Sequence, residues 1–314
     1  MSLAIGVDVG GTKVAAGVVD SEGAVLATAL RETPADDPAK TVEVILELIA
    51  ELRASHEVTT IGLGAAGFID AERSTVVFAP NLAWRNSPLR ATIEQSSGLP
   101  AVVENDANAA AWGESRFGAA REVDSMVLLT IGTGIGGGVV LDGELYRGHN
   151  GMAAEIGHIT VVPDGRRCGC GNRGCLERYG SGRALVREAR DLADVSPDYG
   201  RRLLELGDGG PEGITGPEVT QAAQEGDPAA LEAFEVIGTW LGRGLASLAA
   251  LLDPDMFVLA GGVSHAGELL RRPTEEAFLS GLTARAYREA PKVALAELGA
   301  EAGIVGAADL ARRR

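Results

Sequence analysis

All three cysteines of the chain, Cys168, Cys170 and Cys175, lie in one short window, and His158 stands shortly before them. Three thiolates and one imidazole form a ligand set that suits tetrahedral zinc, and the glycines between the cysteines allow the backbone to turn tightly. The alternative is three free, buried cysteines that act as small apolar residues. Their clustering favours the metal. Because four protein ligands leave no open position, we predict a structural zinc in a loop over residues 155–177.

Two carboxylates flank these ligands. Glu155 precedes His158, and Glu177 follows Cys175 by two positions. A histidine that gives one ring nitrogen to zinc keeps an N–H on the other, and carboxylates accept hydrogen bonds from sugar hydroxyls. We therefore expect the zinc loop to hold Glu155, His158 and Glu177 against a substrate. The alternative is that both glutamates are solvated surface residues.

Asp106 follows a short apolar run and precedes a helical pattern. An ionised aspartate at the floor of a cleft could accept the proton of an attacking hydroxyl. The alternative is an ordinary helix-capping aspartate. Asn105 can donate and accept hydrogen bonds, which suits a sugar hydroxyl.

A glycine turn near the start, Gly10, Gly11, Thr12 and Lys13, is suited to a phosphate. Glycines let the backbone come close, Thr12 offers a hydroxyl and Lys13 a positive charge. A strand rather than a helix follows, so this is not a Walker A loop, and a plain hairpin is the alternative. We predict that Asp8, at the end of the preceding strand, holds magnesium directly or through water, unless it is merely an exposed strand-end carboxylate.

A second glycine turn contains Thr133 and Gly134, and its spacing Gly-x-Gly-x-x-Gly invites a dinucleotide interpretation. That fingerprint requires a helix directly after the turn, whereas the residues that follow, 139–143, read as a strand and a hairpin. We therefore expect Thr133 and Gly134 to contact terminal phosphates. A third turn, Gly261, Gly262 and Val263, fits close approach to a planar ring or an ordinary strand-to-helix turn.

The elements that position these residues alternate between strands and helices, which indicates an α/β protein. Apolar runs at 3–9, 14–19 and 126–131 read as strands. The strand–turn–strand unit occurs twice, with Val9 matching Ile131 and Asp20 matching Asp142. We expect the two turns to face each other across a cleft. Residues 196–216 read as a loop or an exposed crossover.

The composition excludes several classes of protein. The net charge of −16, from 28 basic and 44 acidic residues, argues against a nucleic-acid surface. No apolar run is long enough to span a bilayer, and the start lacks the features of a signal peptide. Clustered cysteines favour a reducing compartment, so we expect a cytoplasmic protein without membrane or nucleic-acid partners.

With these residues assembled, the chain resembles the ROK (repressor, open reading frame, kinase) family of bacterial sugar kinases, and most of all its ATP-dependent glucokinases. The resemblance rests on the stretches 8–13, 104–109, 131–138, 155–158, 168–177 and 259–264, which spread over nearly the whole chain. The cysteine window is the most specific of them. Ala66 and Ala154 stand where the family often has proline and glycine, so we expect a slightly reshaped sugar pocket.

The resemblance implies a two-lobed, actin-like ATPase (ribonuclease H-like) α/β fold with a central cleft and the structural zinc loop. The smaller lobe would comprise residues 1–118 and the C-terminal helix, about 301–314, and the larger lobe residues 119–300. The implied cofactors are ATP, catalytic Mg²⁺ and structural Zn²⁺. Asp106 would be the catalytic base, and the implied sugar ligands are Asn105, Glu155, His158, Glu177, Gly67 and Asn81.

The implied reaction is transfer of the γ-phosphoryl group of MgATP to the 6-hydroxyl of glucose. Alternatives are another hexose (N-acetylmannosamine, fructose or allose), polyphosphate as donor, or a sugar-sensing repressor. Repressors of this family carry an extra N-terminal DNA-binding segment, for which a first strand at Leu3 leaves no room. A dimer or tetramer is expected because oligomers are common in the family.

Overall fold

The computed structural model describes residues 2–313, so the predicted outer bounds at residues 1 and 314 lie outside the described residues. The chain forms two compact units. The first comprises Met1–Leu128, Gly137–Ala154 and Ala296–Arg314, and the second comprises Leu129–Gly136 and Glu155–Leu295. The lobe boundary predicted at residue 118 stays a prediction. No helix within residues 2–313 is long and apolar enough to cross a bilayer.

The strands within the described residues are β1 (Leu3–Val9), β2 (Lys13–Val19), β3 (Val25–Glu32), β4 (Val58–Ala65), β5 (Phe68–Ile69), β6 (Val76–Phe78), β7 (Arg85–Ser87), β8 (Ala101–Asn105), β9 (Met126–Ile131), β10 (Ile135–Leu141), β11 (Glu144–Leu145), β12 (Met256–Ala260) and β13 (Lys292–Leu295). The helices are α1 (Pro38–Arg53), α2 (Leu89–Ser97), α3 (Asp106–Phe117), α4 (Glu177–Gly180), α5 (Gly182–Val195), α6 (Arg201–Leu206), α7 (Gly216–Gln224), α8 (Pro228–Leu252), α9 (Glu268–Gly281) and α10 (Ala302–Arg312).

The first unit is organised around a five-stranded sheet in the order β3-β2-β1-β4-β8. The first three strands in the chain are antiparallel neighbours, whereas β4 runs parallel to β1 and β8 parallel to β4. This order and these directions are those of a ribonuclease H-like sheet, as the sequence predicted. Parallel strands end at one common edge, and that edge carries the residues at the ends of β1, β4 and β8.

The second sheet has the order β11-β10-β9-β12-β13. β9 takes the place that β1 has in the first sheet, and β10 takes the place of β2. The predicted repeat of strand, glycine turn and strand is therefore confirmed. One detail differs, because β10 begins at Ile135, so that Gly136, Gly137 and Gly138 lie in a strand and the turn is only residues 132–134.

Helix α10 lies directly on the first sheet because two paired glycines leave room for it. Gly6 of β1 pairs with Gly62 of β4. A Cβ atom added at Gly6 would lie 1.9 Å from the carbonyl oxygen of Ile304, and one at Gly62 would lie 1.8 Å from that of Ala307. The C-terminal helix is therefore part of the first unit's core.

The prediction of an irregular segment at residues 196–216 was wrong in part. Helix α6 and a short 3-10 helix, Pro211–Gly213, lie within it. The glycines and the proline of this segment end these short elements, but the apolar Leu203 is completely buried and gives α6 a packed face. Helix α7 begins with a capping box between Thr215 and Glu218.

Candidate active site and metal centre

The carboxyl edge of the first sheet brings several predicted site residues together. Asp8 of β1 is paired in register with Gly64 of β4, and Ala65 of β4 with Asn105 of β8. Asn105 is the N-cap of α3, and its side-chain oxygen accepts a hydrogen bond of 3.0 Å from the backbone N–H of Asn108. Asp106 is therefore not the capping residue, and its carboxyl group is available for another role.

The carboxyl groups of Asp106 and Asp8 both have raised pKa values, and the charge of Asp106 contributes to the shift of Asp8. Burial raises the pKa of the Asp106 carboxyl above its ordinary value, although hydrogen bonds from the Ala107 and Asp106 backbone and the Asn105 side chain act in the opposite direction. Burial and the charge of Asp106 raise the pKa of Asp8 to about 7, against the attraction of Lys13. A buried carboxyl group whose pKa is raised by a neighbouring carboxylate favours a cation beside it.

The first glycine turn is held firmly at its base and exposed at its tip. The backbone N–H of Gly10 donates to the carbonyl of Lys13, and the Thr33 hydroxyl donates to the carbonyl of Gly10 at 2.8 Å. The side chains of Thr12 and Lys13 are exposed. A strand, β2, begins at Lys13, as predicted.

Gly67 and Asn81, both predicted sugar ligands, occupy different surroundings. The carbonyl of Gly67 accepts a hydrogen bond of 3.1 Å from Nδ2 of Asn105, so Gly67 belongs with the β8–α3 junction. A Cβ atom added at Gly11 would lie 3.1 Å from the Cβ of Asn81. Asn81 therefore lies over the first glycine turn.

The four predicted metal ligands of the second unit converge on one point. One ligand atom from each of His158, Cys168, Cys170 and Cys175 lies within 4.8 Å of all the others. Nδ1 of His158 lies 3.6 Å from Sγ of Cys168, and the Sγ atoms of Cys170 and Cys175 are 3.7 Å apart. Tetrahedral zinc with Zn–S bonds of ~2.3 Å requires sulfurs about 3.8 Å apart. The residues therefore fit a zinc ion.

The loop reaches this geometry through two glycines with positive φ angles. Gly171 has φ +94° and Gly174 has φ +75°, and a Cβ atom at Gly174 would lie 1.7 Å from the carbonyl oxygen of Val162. Gly169 has no positive φ angle, and a Cβ atom there would meet nothing within 4 Å. A bridge between Thr160 and Cys175 fastens the last ligand to the segment after His158.

The thiols differ in their tendency to ionise. Burial raises the pKa of Cys168, and burial together with hydrogen bonds from the other two thiols raises that of Cys175 to about 12. Burial acts in the same direction on Cys170, but hydrogen bonds from the Asn172 backbone and the neighbouring thiols outweigh it and lower its pKa. Three thiolates at this point require a cation, which zinc supplies.

The ligand geometry leaves the other histidine nitrogen facing a carboxylate. Because Nδ1 of His158 faces Cys168, Nε2 points elsewhere and lies 4.0 Å from Oε2 of Glu155. Glu155 is the N-cap of a short 3-10 helix, Ile156–His158, so Glu155 and His158 lie one helical turn apart. The second ring nitrogen of His158 therefore lies beside Glu155, and the substrate contact predicted for this N–H stays a prediction.

Glu177 connects the metal centre to the second glycine turn. Its Oε1 accepts a hydrogen bond of 3.4 Å from Sγ of Cys168, and its Oε2 accepts one of 3.3 Å from the backbone N–H of Ile135. A Cβ atom at Gly134 would lie 2.2 Å from Oε2 of Glu177. The carboxylate of Glu177 therefore lies directly against Gly134, and Glu177 is not a freely solvated surface residue.

The second and third glycine turns lie side by side in the second unit. The backbone N–H of Gly182, at the start of α5, donates to the carbonyl of Gly132, and a Cβ atom at Gly182 would lie 3.1 Å from Cγ2 of Val263. Gly261 has φ +87°, and a Cβ atom there would lie 2.6 Å from the carbonyl oxygen of Ile131. Gly261 is therefore required by the packing against β9.

A cavity of about 800 Å³ opens beside Gly132 and Thr133. Its walls include Arg183 and Arg187 of α5 and the segment around Thr215. Sequence reasoning missed these α5 residues. The signal that could have found them is the helix start at Gly182, directly after the cysteine window.

Comparison with known proteins extends over the whole chain. The ROK family model matches residues 4–314. The glucokinase of Streptomyces coelicolor is 49% identical over 312 residues, which cover 99% of this chain and 98% of that protein. A xylose repressor of Caldicellulosiruptor bescii is 34% identical over 246 residues, which cover 77% of this chain and 61% of the repressor.

A solved structure of similar sequence has the same fold. The ROK family glucokinase from Streptomyces griseus, in complex with glucose and AMPPNP, is 50% identical to this chain. The match covers 100% of both chains with a TM-score of 0.91. Both sequence and fold are therefore shared over the full length.

Proposed function

This chain belongs to the ROK family, and from that premise we propose that it is an ATP-dependent glucokinase. It transfers the γ-phosphoryl group of MgATP to the 6-hydroxyl of glucose. One observation carries the proposal: the Streptomyces griseus glucokinase, 50% identical over its full length, was solved with glucose and AMPPNP, an analogue of ATP. The residue types at the two constellations described above suit these two ligands.

In this proposal the sugar is bound by Asn105, Gly67, Asn81, Glu155, His158 and Glu177. The hydrogen bond between Asn105 and Gly67 supports their joint role, and the metal-fixed imidazole beside Glu155 supports theirs. Asn81 lies over the first glycine turn, where it would reach a hydroxyl that approaches the phosphate. Oε2 of Glu177 accepts a hydrogen bond from the backbone N–H of Ile135, so Glu177 orients the turn as well as the substrate.

The nucleotide is bound by the glycine turns. Gly10, Gly11, Thr12 and Lys13 of the first turn and Thr133 and Gly134 of the second contact the phosphates, and Gly261, Gly262 and Val263 contact the nucleoside. The adjacency of Gly132, Gly182 and Val263 beside an 800 Å³ cavity supports this assignment. Asp8 holds magnesium, which when bound neutralises charge on the transferring phosphoryl group. Zinc has a structural role because its four protein ligands leave no open position.

Asp106 acts as the general base. Its raised pKa makes the carboxylate a better proton acceptor, and its place at the first residue of α3 leaves the side chain free of capping. Phosphoryl transfer has a loose transition state, so the chain contributes chiefly by holding the sugar hydroxyl, Asp106 and the phosphate donors in line. The hydroxyl proton passes to the Asp106 carboxylate as the sugar oxygen bonds to the γ-phosphorus, while the bond from the γ-phosphorus to the bridging oxygen breaks and ADP leaves.

Two further properties belong to the proposal. The protein acts in the cytoplasm, which suits reduced zinc-bound thiolates. It acts as a dimer or tetramer, as is common in the family. Neither a membrane nor nucleic acid is required for the reaction.

The experiment is a coupled phosphorylation assay with glucose, N-acetylmannosamine, fructose and allose, each with ATP and with polyphosphate as donor. Glucose with ATP is expected to give the highest kcat/KM. The variant Asp106→Asn is expected to keep its zinc content and to have a Tm at least as high as that of the wild type, but to lose about 10²–10⁴-fold in turnover, as removal of a general base does. A higher kcat/KM with another hexose, or with polyphosphate, would replace the proposed substrate or donor.

The xylose repressor relationship provides the second candidate, a sugar-responsive DNA-binding protein. Specific retardation of a DNA fragment in a gel-shift assay, together with no phosphorylation of any sugar, would favour it over the kinase.

A further inference from the structure

A fully buried carboxylate stands two positions before the proposed base. Glu104, at the end of β8, is 1% exposed. Its Oε1 accepts hydrogen bonds from the backbone N–H of Asn105 at 2.9 Å and from Nδ2 of Asn108 at 3.1 Å. Glu104 therefore binds both Asn105, which caps α3, and Asn108, in the first turn of that helix. Asp106 lies between these two residues in the sequence.

Two arginines neutralise the other oxygen of Glu104. Nε of Arg147 lies 2.8 Å from Oε2, and Nε of Arg73 lies 3.0 Å from it. The Arg147 side chain is 10% exposed, whereas that of Arg73 is 30% exposed. Arg147 also donates from Nη1 to the carbonyl of Ala71 and from Nη2 to that of Asp70, both at 2.8 Å. Its guanidinium thus fastens β8 to the segment after β5.

A gain in stability does not explain why the ion pair of Glu104 and Arg147 is buried here. Removing two charges from water is costly, and replacing a buried ion pair with apolar residues of similar volume is often neutral or stabilising. What the pair does provide is one fixed geometry: Nε of Arg147 and Oε2 of Glu104 are in ionic contact without a hydrogen bond, and hydrogen bonds from the remaining atoms of both groups to the surrounding chain hold them in place. Here that geometry is imposed on Asn105 and Asp106, where a displacement of 1 Å can cost about 10²-fold in rate.

Arg147 also anchors the segment that leads to Glu155. The backbone N–H of Ala153 donates to the carbonyl of Arg147 at 3.1 Å, which closes a loop over residues 147–153. A Cβ atom at Gly151 would lie 2.7 Å from the carbonyl oxygen of Ile69, so this loop packs closely on β5. Ala154 follows with φ +69°, and Glu155 is the next residue.

We propose that Arg147, through its ion pair with Glu104, is a positioning residue for phosphoryl transfer. It fixes the β8–α3 junction, and with it Asn105 and Asp106, without touching the substrate. The inference rests on the proposed kinase function, because Asp106 is the base in that reaction. Sequence reasoning gave neither Glu104 nor Arg147 a role, since nothing in the spacing of the two residues pairs them.

The test compares Arg147→Met and Arg147→Lys with the wild type in the same assay, well below the Tm of each variant. Arg147→Met is expected to lower kcat about 30-fold and to raise KM for glucose several-fold, with KM for ATP within about twofold of the wild type. Because Arg147→Lys keeps the positive charge beside Glu104, it should recover most of the lost kcat, although lysine cannot make all three contacts. A folded Arg147→Met protein with kcat within twofold of the wild type would overturn the proposal.

A matched control removes another largely buried arginine of the same unit. Arg312 is paired with Asp309, with side-chain exposures of 12% and 8%. Arg312→Met is expected to lower the Tm but to leave kcat within twofold of the wild type. An equal loss of kcat in this control would mean that Arg147 is merely structural.

A double variant tests whether Arg147 acts through Glu104. If Arg147 acts through Glu104, the variant Glu104→Gln/Arg147→Met should have a kcat no more than twofold below that of the more impaired single variant. Independent, multiplicative losses would overturn the proposed route. If the wild type phosphorylates no sugar, the proposed function fails and with it the inference; if the wild type is active and Arg147→Met is unimpaired, only the inference fails.

Discussion

At the scale of single residues, the buried carboxyl group of Asp8 lowers the free energy of unfolding of the ligand-free protein at neutral pH. Burial and the charge of Asp106 raise its pKa from 3.8 to about 7. Between these two pH values the folded protein keeps a proton that the unfolded chain has released. The free energy of unfolding therefore falls as the pH rises from about 4 to about 7 and stays lower above that range, by about 1.4 kcal/mol for each pH unit between the two pKa values.

The variant Asp8→Asn removes this penalty because asparagine does not ionise. In magnesium-free buffer its Tm should exceed that of the wild type by several degrees at pH 7.5 and approach the wild-type value at pH 4, while its turnover with MgATP falls. Thermal unfolding monitored across the pH range measures the effect. Asp36→Asn, at an exposed aspartate of the same unit, is the control and should follow the wild type. A Tm at or below that of the wild type at pH 7.5 would contradict the interpretation.

At the scale of elements, the decisive contacts are those between backbones. Gly62 lies in β4 opposite Gly6, under α10. A methyl group at Gly62 would lie 1.8 Å from the carbonyl oxygen of Ala307, which is a backbone atom and not the end of a flexible side chain, so the strand and α10 would have to separate. Gly62→Ala should therefore lower the free energy of unfolding by about 3 kcal/mol, as overpacking of a core does.

Denaturant unfolding measures this loss, and Gly210→Ala provides the control. Gly210 has an ordinary extended conformation, and a Cβ atom there meets nothing within 4 Å. This control should be neutral or slightly stabilising, because alanine reduces the freedom of the unfolded chain. Equal stabilities of the two variants would mean that α10 does not lie on the sheet as described.

The helices and strands also show how much of the secondary structure can be predicted from the sequence. The apolar stripe over residues 229–252, after Asp227 as a cap and Pro228, predicts a long helix, and α8 begins one residue earlier and ends at the predicted residue. Helix α9 was not predicted, and Pro273 inside it is a residue that ordinarily ends a helix. The small sheet of β5, β6 and β7 was missed because strands of two or three residues are too short to show an alternating pattern.

The site shows the same contrast. The zinc ligands could be predicted because chemistry restricts which residue types bind the metal and how closely they are spaced. The pairing of Glu104 with Arg147 could not, because the residues are distant in sequence and each is of a type that is usually exposed. The close fit of Gly6 and Gly62 left a faint signal, since both follow isoleucine in a buried strand.

At the scale of the whole molecule, the chain builds one sheet design twice, and each unit has its own means of stability. The first unit has a continuous apolar core around β1, β4 and α1. In the second unit, the metal centre fastens residues 155–177, a segment whose only complete helix or strand is the three-residue 3-10 helix Ile156–His158. Where long strands and helices are scarce, zinc binding supplies folding free energy directly.

Two compact units with separate sources of stability should unfold in two steps rather than one. Scanning calorimetry of the ligand-free protein is expected to resolve two transitions. Removal of zinc with a strong chelator should lower the transition of the second unit by more than about 5 °C and leave the other nearly unchanged. Asp8→Asn should raise only the transition that the chelator spares. A single transition that moves as a whole in both experiments would show instead that the two units unfold cooperatively.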